Sequence, residues 1–442
     1  MIVTSEGSGM SVAFNPQIMT AVEQLDYVVT VGDVASQAGL EINQTQQGLL
    51  TLASEVEGHL QVAESGEIVF AFPKQFRNIL RNKYWRLRFQ SWLQSIWQVL
   101  FYLIRISFGI ILILSILLML VAIIAIVIAV NSKSDNDNDG GFNFSGGSNR
   151  SGGGGGGIFF WPGDIFWLLS PDGGRQKRDK KKSDKNKNEL NFLEAIFSFL
   201  FGDGDPNEDL EERRWQTLGS LIRNNGGAIA AEQAAPYLDN VTKFNRENED
   251  YMIPVLARFN GYPQVSSNGE LIYTFPDLQV SAQERQSTTL ASYLREKPWK
   301  FSQASAGQKI AAIALGGVNL VLALSLGVML KTYGAELDLG ELVYFVQSIY
   351  GLLVAYAVGF LAIPLVRYFW LQQRNQKLEH RNGDRQQRAK LLQPPSPPLK
   401  AKLEFAQDWA TSTVITQADI TYRTDQDSLE QEFKRFTPTQ GD

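Results

Sequence analysis

Residues 106–130 read ISFGIILILSILLMLVAIIAIVIAV, 25 positions without a charge, and roughly 20 apolar residues cross the hydrocarbon core of a bilayer as a helix. Two more such stretches follow: Ile310 to Leu330 gives 21 uncharged residues and Leu342 to Val366 gives 25, joined by a short acidic connection. Together these two predict a helical hairpin. The expected spans are therefore 106–130, 309–331 and 342–367. Small residues recur every four positions, at Ala312 and Gly316, at Ala323 and Gly327, and at Gly351, Ala355 and Gly359. Stripes of this kind let membrane helices approach closely, so these are the candidate helix-packing residues. Asn319 and Gln347 are the main polar groups within the spans and read as interhelical hydrogen bonds. The spans hold no carboxylate, which argues against ion-coupled transport.

Lysine and arginine near the span ends set orientation. Lys74, Arg77, Arg81, Lys83, Arg86, Arg88 and Arg105 precede the first span, while only Lys133 follows closely. Lys297, Lys300 and Lys309 precede the hairpin, and Arg367, Arg374 and Lys377 follow it. All these flanks demand the cytosolic side, which three crossings cannot supply. A return is therefore sought in a fold-back near Ser107 to Gly109, or in re-entry of the aromatic stretch Ile158 to Leu169. The N-terminus, without a basic start or an apolar signal core, is expected in the cytosol.

An internal repeat organises the remainder. Residues 49–73, LLTLASEVEGHLQVAESGEIVFAFP, align without gaps to residues 252–276, MIPVLARFNGYPQVSSNGELIYTFP, with seven identities. Each copy predicts a helix and then two alternating strands, turning at Ser65-Gly66 or Asn268-Gly269. Helices are expected upstream at about 17–26, 31–40, 209–223 and 229–238, so that each copy becomes three helices and a hairpin. That is a winged-helix pattern.

Winged helices often bind DNA, but the charge here opposes it. Residues 1–73 contain no lysine or arginine against nine acidic residues, and the whole chain carries a formal charge of -5. The helix that would enter a groove, about Asn43 to Glu55, offers glutamines, threonines and aliphatics. A protein partner fits such a surface better than nucleic acid does. There are no cysteines and only two histidines, His59 and His380, which removes thiolate chemistry and leaves no histidine constellation for catalysis or metal binding. No cofactor motif is present, and no enzymatic activity is expected.

Asn131 to Gly157 is a Gly, Ser and Asn-rich linker. Within it Asp135, Asp137, Asp139 and Gly140 match the first half of a calcium loop, but its twelfth position is Gly146 rather than glutamate. Residues 175–187, RQKRDKKKSDKNK, hold eight basic and two acidic residues. Arg175, Lys177, Arg178, Lys180, Lys181 and Lys182 are thus candidate contacts to anionic lipid head groups. The apolar helix Asn191 to Phe201 is expected to lie on the bilayer or to pack into a core.

The stretch NFLEAIFSFLFGDGDPNEDLEERRWQTLGSLIRNNGGAIAAEQAAPYLD from Asn191, with FVQSIYGLLVAYAVGFLAIPLVRYFWLQQRNQKLEHRN from Phe345, resembles an uncharacterised membrane-protein family of cyanobacteria and plant chloroplasts. LIRISFG from Leu103 and PGDIFWLL from Pro162 share the likeness, which covers about two thirds of the chain. The resemblance implies a photosynthetic host and a thylakoid or plasma membrane location, and it supplies no catalytic residues. Some plant members carry an iron-sulfur biosynthesis label, which a chain without cysteine gives no means to carry over.

The expected fold is a membrane α-helical anchor plus α+β soluble domains built on two winged-helix-like repeats. In order, these are a tail (1–15), a first winged-helix-like domain (16–76), a basic amphipathic helix (77–105) and the first span (106–130). A linker (131–189), a second winged-helix-like domain (190–278), a connector (279–308), two spans, and a basic helix with a C-terminal tail (368–442) complete it. The expected function is a non-enzymatic multi-pass membrane scaffold or assembly factor that touches lipid and recruits protein partners to the cytosolic face of a photosynthetic membrane. The alternatives are a membrane-tethered DNA-binding regulator and a small-solute transporter.

Overall fold

The computed structural model describes residues 15–83, 85–133, 191–239, 241, 249–284, 287–334 and 340–426. The chain starts with α1 (Pro16–Gln24), β1 (Val28–Thr30), α2 (Val31–Ala38), α3 (Ile42–Glu55), β2 (His59–Ala63), β3 (Ile68–Ala71) and α4 (Phe76–Lys83). Two apolar helices follow, α5 (Trp85–Lys133) and α6 (Phe192–Phe201). Next come α7 (Leu210–Asn224), β4 (Ala228–Ile229), α8 (Ala231–Ala234), α9 (Ile253–Phe259), β5 (Tyr262–Val265), β6 (Leu271–Thr274), α10 (Pro276–Gln279) and β7 (Val280–Ser281). The long helices α11 (Ala306–Tyr333) and α12 (Gly340–Lys390) precede α13 (Pro397–Asp408), β8 (Thr413–Val414) and β9 (Ile420–Arg423). The fold is mostly helical with small antiparallel sheets, and the chain divides into two compact units.

The α+β unit is assembled from Met1–Trp92, Asp205–Pro298 and Asn375–Asp442. Its first module buries Ile18, Val22, Val34, Leu49, Leu52 and Phe70. Helix α2 begins where it does because Thr30 and Asp33 form a reciprocal capping box, in which the Asp33 N–H donates to Thr30 Oγ1 and the Thr30 N–H donates to Asp33 Oδ2. Strands β2 and β3 turn at Gly66, whose φ of +86° suits glycine. The sheet order is β1-β3-β2-β9, so a strand from near the C-terminus completes the first module. Leu60 serves that strand with both backbone groups, its N–H donating to Thr424 Oγ1 at 2.9 Å and its carbonyl accepting from the Thr424 N–H at 3.1 Å.

The second module orders its strands β4-β6-β5 and buries Leu218, Ile222, Met252, Val255, Phe259, Phe275 and Leu278. Pro263 stands on β5 where Leu60 stands on β2 in the sequence alignment. Without an N–H it cannot donate to a further strand, and proline on an outer strand is a common guard against unwanted pairing. The two modules meet along α2 and α7. A Cβ on Gly39 would come within 2.8 Å of Trp215, and one on Gly219 within 2.8 Å of Ser36, so both helices approach at glycine distance. Asp33, fully buried, forms an ion pair with the Arg223 guanidinium at 2.6 Å and accepts from the Ala282 N–H at 3.0 Å. The same carboxylate therefore caps α2 and ties the two modules together.

The second unit comprises Leu93–Gly204 and Trp299–Arg374. Among the described residues, three helices are long and apolar enough to cross a membrane, in the segments Ser95–Ser132, Ala306–Tyr333 and Gly340–Lys390. One layer of their packing holds Leu112 and Ile116 of α5, Ala312 and Leu315 of α11, and Phe360 of α12, with α6 inserted among them through Ile196, Phe199 and Leu200. The other layer holds Met119 and Ile126, Ala323 and Leu326, and Val343 and Val346. Helices α5 and α11 therefore run parallel and α12 runs against them. Lys133 consequently ends α5 at the end of the bundle opposite α6, and residues 134–190 between them lie outside the described residues.

Three expectations change. No fold-back occurs near Ser107 to Gly109, because the helix is continuous from Trp85 to Lys133 and Arg105 within it is held by Asp203 at 2.9 Å. The third apolar span and the basic helix after it are one helix that passes through Pro364. The small residues act from one side only. A Cβ on Gly316 would meet Phe360 at 2.6 Å, and one on Gly327 would collide with the Tyr350 hydroxyl, so α11 supplies the small stripe and α12 the large side chains. Ala312 and Ala323 are buried on that stripe, whereas Gly351 and Ala355 are exposed and Gly359 meets only Ile363 of its own helix. Asn319 accepts a hydrogen bond from Ser115 at 2.8 Å, linking α11 to α5, while Gln347 is exposed.

Two outcomes follow for the purified full chain. Arg223→Met leaves Asp33 buried without its cation and should destabilise the α+β unit by about 3–5 kcal/mol, read as a lower unfolding midpoint. Gly327→Leu should destabilise the helical unit by about 1–3 kcal/mol through overpacking against Tyr350, whereas Gly359→Leu should be close to neutral.

Candidate functional site

The C-terminal part of the chain is fastened to the second module by buried ion pairs. Arg385, 1% exposed, donates to Asp239 and to the Leu294 carbonyl, and its guanidinium lies 3.0 Å from Glu296. Arg381 also pairs with Glu296, and Arg214 of α7 also pairs with Asp239. Arg388 donates to the carbonyls of Ala235 and Leu238. On α13, Lys402 sits 2.6 Å from Glu249 and 2.9 Å from Glu232, and the Tyr273 hydroxyl donates to Glu249. Every buried charge in this set has a partner, the condition under which buried ions are tolerated.

Burial pushes the carboxyls of Asp239 and Glu296 upward, but the arginine hydrogen bonds and charges outweigh it and hold both below the ordinary carboxylate range. Burial, reinforced by Glu249, pushes the Tyr273 and Tyr251 hydroxyls up, so both stay neutral at physiological pH. None of these groups opens a reactive site, and their geometry is that of fasteners.

The open space lies elsewhere in the same unit. A cavity of about 510 Å³ is bounded by Ser36 and Gln37 of α2, Ser220, Arg223 and Asn224 of α7, Leu278, Gln279, Ser281, Glu284, Ser287 and Thr288, and Thr411, Ser412 and Val414. Arg223 is already engaged at its rim by Asp33, by Ser36 Oγ at 3.1 Å and by the Val280 carbonyl at 3.2 Å. Asn224 and Thr288 exchange side-chain to backbone hydrogen bonds across the cavity's border. Sequence reasoning missed this place, since its walls come from positions about 190 and 375 residues apart and carry ordinary serines and threonines.

The residues singled out from the sequence do not converge on one site. The small residues lie within the helical unit, His59 is exposed on β2, and His380 pairs with Asp384 on the surface of α12. The basic run with Arg175, Lys177, Arg178, Lys180, Lys181 and Lys182, the aspartates from Asp135 to Asp139 and the aromatic stretch Ile158 to Leu169 lie outside the described residues. Among the described residues no group of three or more His, Cys, Asp and Glu side chains is arranged to hold a metal ion.

The architecture is thus a set of three apolar helices of membrane-crossing length combined with an α+β unit. The chain is 36% identical over 429 residues to the "Uncharacterized protein At5g03900, chloroplastic" of Arabidopsis thaliana, covering 94% of this chain and 80% of the plant protein. It belongs to the family of that chloroplastic protein. No family model matches the sequence, and no solved structure matches it.

The carboxylate fasteners give a pH dependence of definite sign. Because Asp239 and Glu296 have folded-state values depressed below the ordinary 3.8 and 4.5, their stabilisation is complete at neutral pH and is lost as pH falls through the depressed values. The unfolding midpoint of the full chain should therefore drop on acidification below about pH 4.5, and Asp239→Asn should lower stability at pH 7 while reducing that acid dependence.

Proposed function

We propose that this chain is a non-enzymatic multi-pass membrane scaffold that recruits a protein partner to the cytosolic face of a photosynthetic membrane. In this reading the uncharged parts of Ser95–Ser132, Ala306–Tyr333 and α12 cross the bilayer, and the two modules are winged-helix repeats. The repeat is supported by the matching order of helices, strands and hairpin in residues 16–71 and 210–274, each with its hairpin's second strand in the middle of a three-strand set.

The orientation is supported by charge. Arg105 before the first crossing, Lys300 and Lys309 before the second, and Arg367 and Arg374 after the third all lie toward the α6 end of the helical unit, and only Lys133 and Lys331 flank the other end. Trp97, Tyr102, Tyr368 and Trp370 are exposed near the same end, and Arg374 stacks 4.0 Å over Trp299. Cations mark the cytosolic end, and the aromatic rings mark a membrane–water interface without telling its side. A chloroplastic relative fits a photosynthetic membrane.

The observation that carries recruitment of protein is the uncharged outer face of the third helix in each module. On α3 this face presents Asn43, Gln44, Gln46, Gln47 and Leu50, and on α9 it presents Ile253, Pro254 and Ala257. Leu50 is 42% exposed and Ile253 60%. A groove-reading helix needs cations for phosphate, and neither face has one. Amides with exposed aliphatics suit a protein surface, and tethering at the membrane raises the partner's effective concentration.

The test is affinity purification of the tagged full chain from its native membrane, beside the Leu50→Arg, Ile253→Arg double variant at equal membrane abundance. A protein recovered with the parent should fall by about thirtyfold with the variant, as for losing a hot spot worth about 2 kcal/mol. Recovery of the chain alone, or of nucleic acid with it, would contradict recruitment of protein.

A further inference from the structure

We propose that the cavity between α2, α7 and the β7–β8 strand pair binds a neutral polyhydroxylated ligand, a sugar or the sugar head group of a lipid. The proposal does not rest on the recruitment of a protein partner. Its volume of about 510 Å³ lies within the range of small-molecule sites, roughly 300–1,000 Å³. What distinguishes it is the chemistry of its wall. Ser220, Ser281, Ser287, Thr411 and Ser412 bring hydroxyls, while the carboxamides of Gln37, Asn224 and Gln279 at the same wall are already bonded to Gln24, to Thr288 and to the Gly226 and Trp409 carbonyls. Hydroxyls donate and accept by simple rotation, which is what a ring of vicinal hydroxyl groups requires of its host.

Other ligand classes fit the same wall poorly. Arg223 is the only cation among the described residues lining the cavity, and the Asp33 carboxylate at 2.6 Å already neutralises it. The part of α7 at the wall is its C-terminal turn, Arg223 and Asn224, the negative end of the helix dipole, which opposes a phosphate or carboxylate. Glu284 is the single carboxylate among those lining residues, too few for a divalent cation. No aromatic side chain is among them, so a nucleobase finds nothing to stack on, and Leu278 and Val414 offer little apolar area for a lipid tail. A neutral ligand that hydrogen-bonds on all sides remains.

The site also has a structural consequence. Its wall joins the first module, the second module and the run before β8, which is held by the Thr411 N–H donating to the Gly226 carbonyl and the Gln279 side chain donating to the Trp409 carbonyl. A ligand bridging these three segments binds only the folded unit and so stabilises it.

The experiment uses the full chain in a detergent without a sugar head group, with thermal unfolding followed against increasing glucose, galactose, inorganic phosphate and AMP, each in a separate series. A parallel series uses vesicles with and without a glycolipid bearing the same sugars. The expected result is a saturable rise in Tm of several degrees with a neutral sugar. Ser220→Leu, which fills the wall, and Ser412→Trp, which blocks the exposed rim without touching the core, should both abolish it. Sugars also stabilise proteins through exclusion from the surface, but that effect does not saturate and is equal in the variants. Saturation by free sugar marks a soluble ligand, and saturation only with glycolipid vesicles marks a lipid head group. A saturable response to phosphate or AMP alone, an equal response in both variants, or no saturable response in any series would overturn the proposal.

Discussion

Charge left in hydrocarbon is costly, and under the proposed membrane reading the helical unit is arranged around that constraint. The uncharged parts of α5 and α11 start, and that of α12 ends, at the end that carries Arg105, Lys309 and Arg367. Even there the two arginines are not left unpaired. Arg105 reaches Asp203, which also accepts from Ser198 and from the Gln303 N–H. Arg367 donates to the carbonyls of Ser198, Phe199 and Phe301, the first two at the C-terminus of α6, where a cation meets the negative end of the helix dipole. The short helix α6 is thus held by apolar packing on three long helices and by arginine at its end.

In the α+β unit an analogous role falls to Asp33. One carboxylate oxygen closes the capping box of α2 and the other meets Arg223 of α7, so a residue needed to start a local helix also fixes the neighbouring module. The glycines at 39 and 219 allow that approach, and Ala35 and Ile42 of the first module are buried in the core of the second. The C-terminal residues extend the same joint. Strand β8 pairs with β7 and β9 pairs with β2, so one short stretch of chain touches both modules. These contacts make the two modules and the C-terminal strands one folded body.

Much of this was legible in the sequence because it depends on local pattern. Uninterrupted apolar runs mark the three long helices, and alternation around Ser65-Gly66 and Asn268-Gly269 marks the hairpins, since each signal sits within about 25 residues. Pairings between distant residues were not legible. Nothing local in ITYR at 420–423 specifies a register against Gln61 and Val62, and a strand of four residues is too short for its alternation to be read. Lys402 and Arg385 look like solvated charges on helices until Glu249 and Asp239 are brought to them. The stripe at Gly351, Ala355 and Gly359 shows the limit of periodicity: it identifies a face, not whether a neighbour lies on it, and here the large residues of α12 fill the small stripe of α11.

The most direct test of this arrangement uses the absence of native cysteine. Single cysteines at Ser305 and at Lys133 in the full chain, in sealed vesicles of known sidedness, are labelled with a membrane-impermeant maleimide. The arrangement predicts that Ser305→Cys is labelled only from the cytosolic face and Lys133→Cys only from the opposite face. Labelling of both from the same face would contradict a bundle whose basic ends share one side of the membrane.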